Sequence, residues 1–422
     1  MKVMKKAFLT RKLFDGQNNG YKQDVAILVE DNIIQEIVGK NEVPGEYVQE
    51  DLGDQFVIPG LFDSHVHLVW TGSPDPNQIM LRESSEMTAI RAAEHARLSL
   101  LHGITTVRDV GGDAKIVLGV RDAIQDSVIR GSRVIASGNP IMMTGGHVHE
   151  IGLEVDGPHE ARKGVRKLLK EGVDLIKLMA SGGVYGKSEL PGQPQMTVEE
   201  MKVVVEEAHL AGRKVAAHAE GLQGILNALE AGVDTIEHGN LMTPEIAKFM
   251  AEKQVFVVPT MAPFYLSAHY GVEKGYPDYH IRKSKSVLAG SYNVIRYIKE
   301  YGVPVAAGTD CGGPNKPHGA LAFELELMVD GGLTPFEALL SATAHASIAC
   351  GVEKELGTIE PGKIADFIGL KNDPLKNISA LREVDTVVKE GRFEKRHGVG
   401  CENVNDLSSL RLKNNAKNYA LL

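Results

Sequence analysis

Short apolar runs alternate with longer stretches of helical period through the middle of the chain. β-Branched and aliphatic residues cluster in the short runs, which is typical of strands. The predicted strands cover residues 57–66, 105–110, 133–137, 175–179, 214–219, 235–237, 256–259 and 304–308. The stretches between them predict helices, among them residues 88–101, 158–171, 197–211, 222–231 and 243–252. Eight strands, each followed by helical sequence, predict an α/β fold, a (β/α)8 TIM barrel rather than an open doubly wound sheet.

The two ends of the chain have a different pattern. Residues 6–13, 25–30 and 32–39 predict strands before the barrel, and residues 365–370 and 384–390 predict strands after it. These segments flank the barrel on both sides. They predict a small discontinuous β-sandwich domain of residues 1–56 and 352–400, joined to a barrel domain of residues 57–351. Residues 401–422 are polar and predict a loosely ordered tail.

Composition and charge exclude several classes of function. The chain has 422 residues and a formal net charge of −9, with no basic stripe, which argues against a nucleic-acid partner. No apolar run reaches the length that spans a membrane. The three cysteines Cys311, Cys350 and Cys401 are odd in number and far apart, so we expect no disulfide framework and a cytoplasmic location.

Side chains able to bind a metal stand where the predicted barrel strands end. His65 and His67 are one residue apart, so alternation along the strand turns both imidazoles to the same face. The carboxyl ends of barrel strands meet at one mouth, where active sites of this fold lie. A single strand histidine is usually structural, but six such groups at five strand ends predict a metal site. The six are His65, His67, Lys177, His218, His238 and Asp310.

Lys177 lies within a predicted apolar strand. Burial disfavours its ammonium form and lowers its pKa, and a neutral amine can add carbon dioxide to form a carbamate. The alternative is a lysine paired with a nearby carboxylate. A carbamate is an anionic donor with two oxygens, which predicts two divalent ions about 3.5–4 Å apart around a shared water. Nitrogen and carboxylate donors favour zinc, with manganese, iron and cobalt as alternatives.

Several motifs of the chain resemble those of the amidohydrolase superfamily. They are the run Pro-Gly-Leu-Phe-Asp-Ser-His-Val-His that ends at His67, the Gly-Thr-Asp that ends at Asp310, and the turn-rich Gly-Thr-Ile-Glu-Pro-Gly-Lys-Ile-Ala-Asp that ends at Asp366. Residues 105–112, 144–147, 181–183 and 324–328 resemble the imidazolonepropionase-like branch, which contains prolidase-like Xaa-Pro dipeptidases and related dipeptide hydrolases. The resemblance covers residues 3 to about 393.

The resemblance implies a role for each site residue. The implied ligands are His65, His67 and Asp310 for the more buried ion, His218 and His238 for the more exposed ion, and carboxylated Lys177 between the two. Asp310 would take a proton from the attacking water and pass it to the leaving nitrogen. His147 would donate to the carbonyl oxygen in an oxyanion-type role. The alternative is a structural role, since His147 lies in a loop beside His149.

The preferred hypothesis is a binuclear-metal amidohydrolase that cleaves the amide bond of a dipeptide or an N-acyl amino acid. The alternative is an imidazolonepropionase-like cyclic amide hydrolase or a deaminase with one metal ion. The resemblance places a glutamate of those enzymes three residues after the histidine that matches His218, where this chain has Gly221. This difference, with Lys177, favours the two-metal hydrolase. A non-catalytic assembly protein would have lost ligand positions, and all six are retained here.

Three further residues are candidate substrate contacts. Glu220 could bind a substrate amino group or could be a solvated loop carboxylate. Tyr185 and Lys187 follow two glycines in a loop over the predicted mouth, and either could hold a substrate carboxylate. We expect a small-molecule substrate and a homo-oligomer, and the sequence alone does not identify the substrate.

Overall fold

The computed structural model describes residues 3–398. The strands are β1 (Lys5–Leu13), β2 (Lys22–Glu30), β3 (Ile33–Gly39), β4 (Val48–Asp51), β5 (Phe56–Pro59), β6 (Leu61–Val66), β7 (Ile104–Asp109), β8 (Arg133–Ala136), β9 (Ile141–Met142), β10 (Leu153–Glu154), β11 (Leu175–Met179), β12 (Lys214–Ala219), β13 (Thr235–His238), β14 (Phe256–Val258), β15 (Phe367–Leu370), β16 (Val384–Lys389) and β17 (Arg392–Lys395). The α-helices are α1 (Pro76–Arg82), α2 (Ser85–Leu101), α3 (Ala114–Gln125), α4 (Pro158–Glu171), α5 (Val198–Leu210), α6 (Leu222–Ala231), α7 (Pro244–Lys253), α8 (Met261–Tyr270), α9 (Asp278–Tyr301), α10 (Leu321–Asp330), α11 (Pro335–Ser341) and α12 (Ala344–Cys350).

Parallel strands with helices between them form the centre of the fold. Strands β6, β7 and β8 make one parallel sheet, and β11, β12, β13 and β14 make the body of a second. The two sheets meet where the N–H of Asp174, the residue before β11, donates to the carbonyl of Ala136 in β8 at 2.8 Å. The fold is a (β/α)8 barrel, as the alternating pattern predicts.

The eighth barrel position differs from the predicted strand at residues 304–308. This segment closes the barrel through isolated bridges, with Val305 beside Val257 of β14 and Cys311 beside Val66 of β6, and it forms no regular strand. The reason is a diverted donor: the Ala307 N–H donates to the Ser341 carbonyl at 2.7 Å, so the ladder is interrupted.

The predicted strand at residues 57–66 is two strands, separated at Gly60. Strand β5 pairs with β1 and β15, whereas β6 pairs with β7 of the barrel. A Cβ at Gly60 would lie 2.3 Å from Thr105 Oγ1, so only glycine allows the chain to pass so close to β7. Residues on both sides of Gly60 are buried, which is why the apolar pattern continues through the change of sheet.

The chain ends form the small β-sandwich domain. An eight-stranded mixed sheet has the order β17-β16-β15-β5-β1-β2-β3, and β4 pairs with the first half of β1. The sheet branches at β1, because β4 and β5 pair with different halves of that strand. A separate apolar core fills it, with Phe8, Ile27, Val57, Phe367 and Val388 among its members.

The helices begin and end at the signals that the sequence carries. Helix α5 has a capping box: the Glu200 N–H donates to Thr197 Oγ1 at 3.3 Å, and the Thr197 N–H donates to Glu200 Oε2 at 2.8 Å. Helices α4 and α6 end at Gly172 and Gly232 in the left-handed conformation.

Within residues 3–398, no helix is long and apolar enough to cross a membrane. Cys311 and Cys350 are free thiols, while Cys401 and the predicted tail lie outside the described residues.

Candidate active site

A cavity opens at the carboxyl ends of the barrel strands, and the space not filled by atoms there, open solvent included, is about 620 Å³. The predicted site residues that line it are His65, His67, His147, Lys177, Tyr185, His218, Glu220, His238 and Asp310. Lys187 is exposed and is not among the lining residues, so the structure does not bring this candidate to the cavity.

His65, His67 and Asp310 form a compact cluster of potential metal donors. One donor atom from each lies within 4.8 Å of the others. Asp310 Oδ1 is 3.4 Å from His67 Nε2 and 3.8 Å from His65 Nε2. The opposite ring nitrogens are engaged, because His67 Nδ1 donates to the Gly111 carbonyl at 2.9 Å and His65 Nδ1 donates to Glu237 at 2.8 Å. These bonds fix the tautomer that leaves both Nε2 atoms free to accept a metal ion.

Asp63 aligns Asp310 with the histidines of β6. Its carboxylate accepts from the Thr309 N–H at 2.9 Å and from the Thr309 hydroxyl at 2.6 Å. The Asp310 N–H donates to the His65 carbonyl at 2.7 Å, and Asp310 has a left-handed φ of 55°. Two motifs far apart in sequence are thus joined by a buried carboxylate, and this contact explains why an aspartate lies two residues before His65.

Two more histidines lie on the neighbouring strands. The ring of His238 is 5.1 Å from that of His65 and 4.6 Å from that of His218, measured between centroids. His238 Nδ1 lies 2.5 Å from Thr260 Oγ1, while the His147 ring stacks on His218 at 4.2 Å. Burial lowers the pKa of both His218 and His238 well below the ordinary histidine value. Both are therefore neutral imidazoles, the form that binds metals.

Lys177 has a buried ammonium group with no partner. The residue is 1% exposed, and its Nζ makes no hydrogen bond in the described part of the chain. Burial lowers the pKa of Lys177 to about 8, against a partly compensating attraction from Glu237. An unpaired cation in such a place is costly. The amine therefore has a strong tendency to lose its proton or to react to give a group without a positive charge.

A buried ion pair lies behind His65. Arg108 donates from Nη2 to Glu237 Oε1 at 2.8 Å, from Nε to the Ser64 carbonyl at 2.6 Å and from Nη1 to Thr235 Oγ1 at 3.2 Å. Burial raises the pKa of the Glu237 carboxyl, but the Arg108 guanidinium and the hydrogen bond from His65 outweigh it and hold that pKa well below its ordinary value. Glu237 therefore stays ionised and can orient His65.

His147 is oriented by a carboxylate that the sequence analysis did not identify. Its Nδ1 donates to Glu189 Oε1 at 2.6 Å. Burial lowers the pKa of His147, but attraction to Glu189 exceeds this effect and the net pKa is raised. Lys283 of α9 donates to the backbone carbonyls of Gly186 and Glu189, so it fastens the loop that carries this carboxylate.

Glu220 and Tyr185 lie on the cavity wall in different surroundings. Glu220 is 2% exposed, and burial raises its pKa to about 8. Its backbone N–H donates to Ser181 Oγ at 3.0 Å, and Asn240 Nδ2 is 3.4 Å from its carboxylate. The solvated-loop interpretation of Glu220 is therefore wrong.

The ring of Tyr185 stacks on Trp70 at 5.9 Å.

Nothing in the sequence identified three other residues that line the cavity as candidate site residues. Lys316 follows Asp310 by six positions, and its Nζ donates to Asp310 Oδ2 at 2.7 Å. His280 comes from α9 and Trp70 from the loop after β6, and both line the cavity. Arg108 and Glu237 did carry a signal, because each is a charged residue inside an apolar strand.

A barrel with this set of histidine, lysine and aspartate side chains at its mouth is a metal-dependent hydrolase. The chain belongs to the amidohydrolase family, whose sequence profile matches residues 56–393.

Relatives within the family confirm the predicted branch. The ochratoxinase of Aspergillus niger is 30% identical over 417 residues, which cover 90% of this chain and 84% of the relative. The imidazolonepropionase of Acinetobacter baumannii is 25% identical over 401 residues, 86% of this chain and 92% of the relative. The crystal structure of a Xaa-Pro dipeptidase with bound methionine in the active site has a TM-score of 0.85 at 34% identity, covering 93% of this chain and 100% of the other. The chain is thus an enzyme that acts on amide-type C–N bonds.

Proposed function

We propose that the protein is a binuclear-metal amidohydrolase that cleaves the amide bond of a dipeptide or an N-acyl amino acid. The observation that carries this proposal is the unpartnered Nζ of Lys177 in a cavity lined by four strand-end histidines and Asp310. Carbon dioxide converts this amine into an anionic carbamate, which removes the unpaired cation and supplies two oxygen donors. The Xaa-Pro dipeptidase structure and ochratoxinase are the relatives that favour an amide substrate.

The residues present fit two divalent ions. Four imidazoles and one carboxylate are the donor types that zinc accepts. We assign His65, His67 and Asp310 to one ion, His218 and His238 to the other, and carboxylated Lys177 to both. Bound divalent ions lower the pKa of water and polarise a carbonyl oxygen.

Asp310 acts as the proton carrier in the proposed reaction. Burial raises the pKa of Asp310, but Lys316 and the histidines beside it hold that pKa well below its ordinary value, so the carboxylate is ionised. It accepts a proton from the water whose oxygen bonds to the amide carbon. The proton then goes to the leaving nitrogen as the C–N bond breaks, which balances the hydrolysis.

His147 stabilises the negative charge that develops on the carbonyl oxygen. Glu189 accepts from Nδ1, which leaves Nε2 as the nitrogen available for the substrate. A charged or polarised donor fixed in place is more effective than a mobile one, because no reorganisation is needed during the reaction. The carboxylate of Glu189 is therefore a positioning group for His147.

Glu189→Ala is expected to reduce kcat about 10- to 100-fold, the usual cost of losing a group that orients an active-site histidine. Glu189→Gln keeps an acceptor for His147 Nδ1 and should recover part of that loss. Steady-state kinetics on the best dipeptide substrate gives the measurement. Equal activity of the alanine variant and the unmodified enzyme would show that His147 needs no orientation by residue 189.

Glu220 and Tyr185 are proposed substrate contacts. Glu220 provides an acceptor on the cavity wall beside His218, where a substrate amino group could donate to it. Tyr185 and Trp70 form an aromatic wall for an apolar side chain. A dipeptide with an apolar residue carries both the amino group for Glu220 and the side chain for this aromatic wall.

A single-metal cyclic amide hydrolase or deaminase is the second candidate. One observation favours it: in the described part of the chain, His65, His67 and Asp310 are the only group of three or more His, Cys, Asp or Glu residues whose donor atoms lie mutually within 4.8 Å. Imidazolonepropionase is also a relative at 25% identity. Metal content and substrate preference together distinguish the two candidates.

Removal and restoration of metal is the direct test of the proposed function. Treatment with a chelator is expected to abolish hydrolysis, and zinc with bicarbonate should restore it with two ions per chain by elemental analysis. A library of dipeptides and N-acyl amino acids, with imidazolone-type rings as the comparison, identifies the substrate class. The proposal of a two-metal hydrolase would be wrong if the protein binds one ion per chain and hydrolyses imidazolone-type rings but no open-chain amide.

A further inference from the structure

Strand β14 carries none of the proposed metal ligands, but a buried threonine follows it at the mouth of the barrel. Thr260 is 0% exposed and stands directly before helix α8. Its backbone has a left-handed φ of 44°. This conformation is strained for a β-branched residue, because the side chain crowds the backbone. Contacts with neighbouring elements must therefore hold Thr260 in place.

The hydroxyl of Thr260 faces His238 and not the helix that follows it. A threonine at a helix start usually accepts from an N–H two or three residues later, but Thr260 makes no such bond. Its Oγ1 lies 2.5 Å from Nδ1 of His238 instead. When Nδ1–H donates to this hydroxyl, the lone pair of the imidazole is on Nε2. This is the tautomer that a metal ligand needs.

Glu324 supplies the helix cap that Thr260 does not. This residue lies in α10 and is 0% exposed. Its two carboxylate oxygens accept from the first two N–H groups of α8, that of Met261 at 2.7 Å and that of Ala262 at 2.8 Å. Such N–H groups have no acceptor within their own helix. The carboxylate therefore fixes the start of α8 immediately after Thr260.

We propose that Glu324 and Thr260 are positioning residues for His238, an inference that rests on the proposed function where it assigns His238 to the second ion. Glu324 holds the first turn of α8, this turn keeps Thr260 in its left-handed conformation, and the hydroxyl of Thr260 orients the imidazole. The contacts join α10, α8 and β13, which are far apart in sequence. Glu324 is also the first residue of the motif at residues 324–328, which contains no proposed ligand.

The other proposed ion has separate supports. His65 donates to Glu237 and His67 donates to the Gly111 carbonyl, and neither contact involves α8 or α10. A displaced start of α8 leaves these bonds in place. Loss of Glu324 should therefore weaken the binding of one ion and spare the other, whereas a general loss of stability would weaken both.

Competition with a chromogenic chelator measures this selective effect. Burial raises the pKa of Glu324 to about 8 against the opposing effect of the two N–H groups, so a zinc titration at pH 9 keeps the carboxylate ionised. Glu324→Gln keeps the size of the side chain but only one acceptor, and it is expected to weaken one of the two ions about 10- to 100-fold. Thr260→Val should weaken the same ion, and Thr260→Ser, which retains the hydroxyl, should recover most of the affinity.

Two comparisons separate positioning from a structural role. Glu326→Gln is the matched control and should bind both ions normally, because Glu326 lies on the same helix but pairs with Arg382. In a His238→Gln background, Glu324→Gln should cause no further loss of affinity, because the ligand that it positions is absent. Equal weakening of both ions, or an undiminished loss in the His238→Gln background, would show that Glu324 only stabilises the fold and would overturn the proposal.

A measurement on metal-free protein is independent of the proposed function. In chelator-treated protein labelled with ¹⁵N-histidine, the Nδ1–H of His238 should give a downfield proton signal that is absent from His238→Gln. Thr260→Val should remove this signal, Glu324→Gln should shift or broaden it, and Glu326→Gln should leave it unchanged. An unchanged signal in Glu324→Gln would contradict the proposal. If the unmodified protein binds one ion only but the signal responds to Glu324→Gln, the two-metal function fails and the positioning of His238 stands.

Discussion

Lys177→Met is expected to abolish activity, by at least about a thousandfold, while the protein stays folded. The lost carbamate would remove a shared ligand of two ions, and metal contributes several kcal/mol of transition-state stabilisation. Stability should be unchanged or higher, because methionine replaces a buried ammonium that has no partner. Activity, metal content and the chemical denaturation midpoint are the measurements.

Two further experiments separate the carbamate from a simple loss of charge. The unmodified enzyme grown or incubated with ¹³C-bicarbonate should show a carbamate carbon signal by NMR that is absent from Lys177→Met. In Lys177→Ala, a short carboxylic acid such as propionate should restore part of the activity, because it can supply the two missing oxygen donors. Full metal content and activity in Lys177→Met would remove the bridging role. Lys389→Met, at another largely buried lysine outside the cavity, is the matched control.

Arg108→Met is expected to destabilise the protein by about 3–5 kcal/mol, the usual cost of removing one partner of a buried ion pair. Glu237 is fully buried and would lose the guanidinium that keeps its pKa low. The same change should weaken metal binding about 10- to 100-fold, because Glu237 would no longer be fixed against His65. Denaturation of the metal-free protein and competition with a chromogenic chelator measure the two effects.

The double variant Arg108→Met with Glu237→Gln tests the physical cause. Removing both charges should recover much of the lost stability, since no unpaired charge remains buried. Metal affinity should stay low, because a neutral amide orients and polarises His65 less than a carboxylate does. A double variant as unstable as Arg108→Met alone would show that the loss arises from packing around residue 108 and not from the charge on Glu237.

Carboxylates orient several side chains of the proposed site before a substrate binds. Asp63 holds Thr309 next to Asp310, Glu237 holds His65, and Glu189 holds His147, so a carboxylate supports the site at three places. Asp63 and Glu237 are buried, so the effective dielectric around them is low and the orientation of their partners is tightly maintained. The geometry is thus set before substrate arrives, which is the condition for electrostatic catalysis.

Local patterns in the sequence were enough to predict the barrel, the composite small sheet and the side chains at the strand ends. The period of the apolar runs is a property of a few neighbouring residues, and a strand end in this fold points to the mouth wherever the strand lies. His65, His67, Lys177, His218 and His238 were found for this reason. The number of metal ions and the carboxylation of Lys177 remain predictions.

Only the tertiary structure decided which groups meet across the barrel. The break at Gly60 is invisible in an apolar run that is buried on both sides, and the diverted N–H of Ala307 depends on a helix more than thirty residues later. Lys316 and His280 lie in a loop and on a helix face, where a lone polar residue is ordinary and periodicity carries no information. A substrate recess needs side chains from several elements at once, and their distances are set by packing rather than by spacing along the chain.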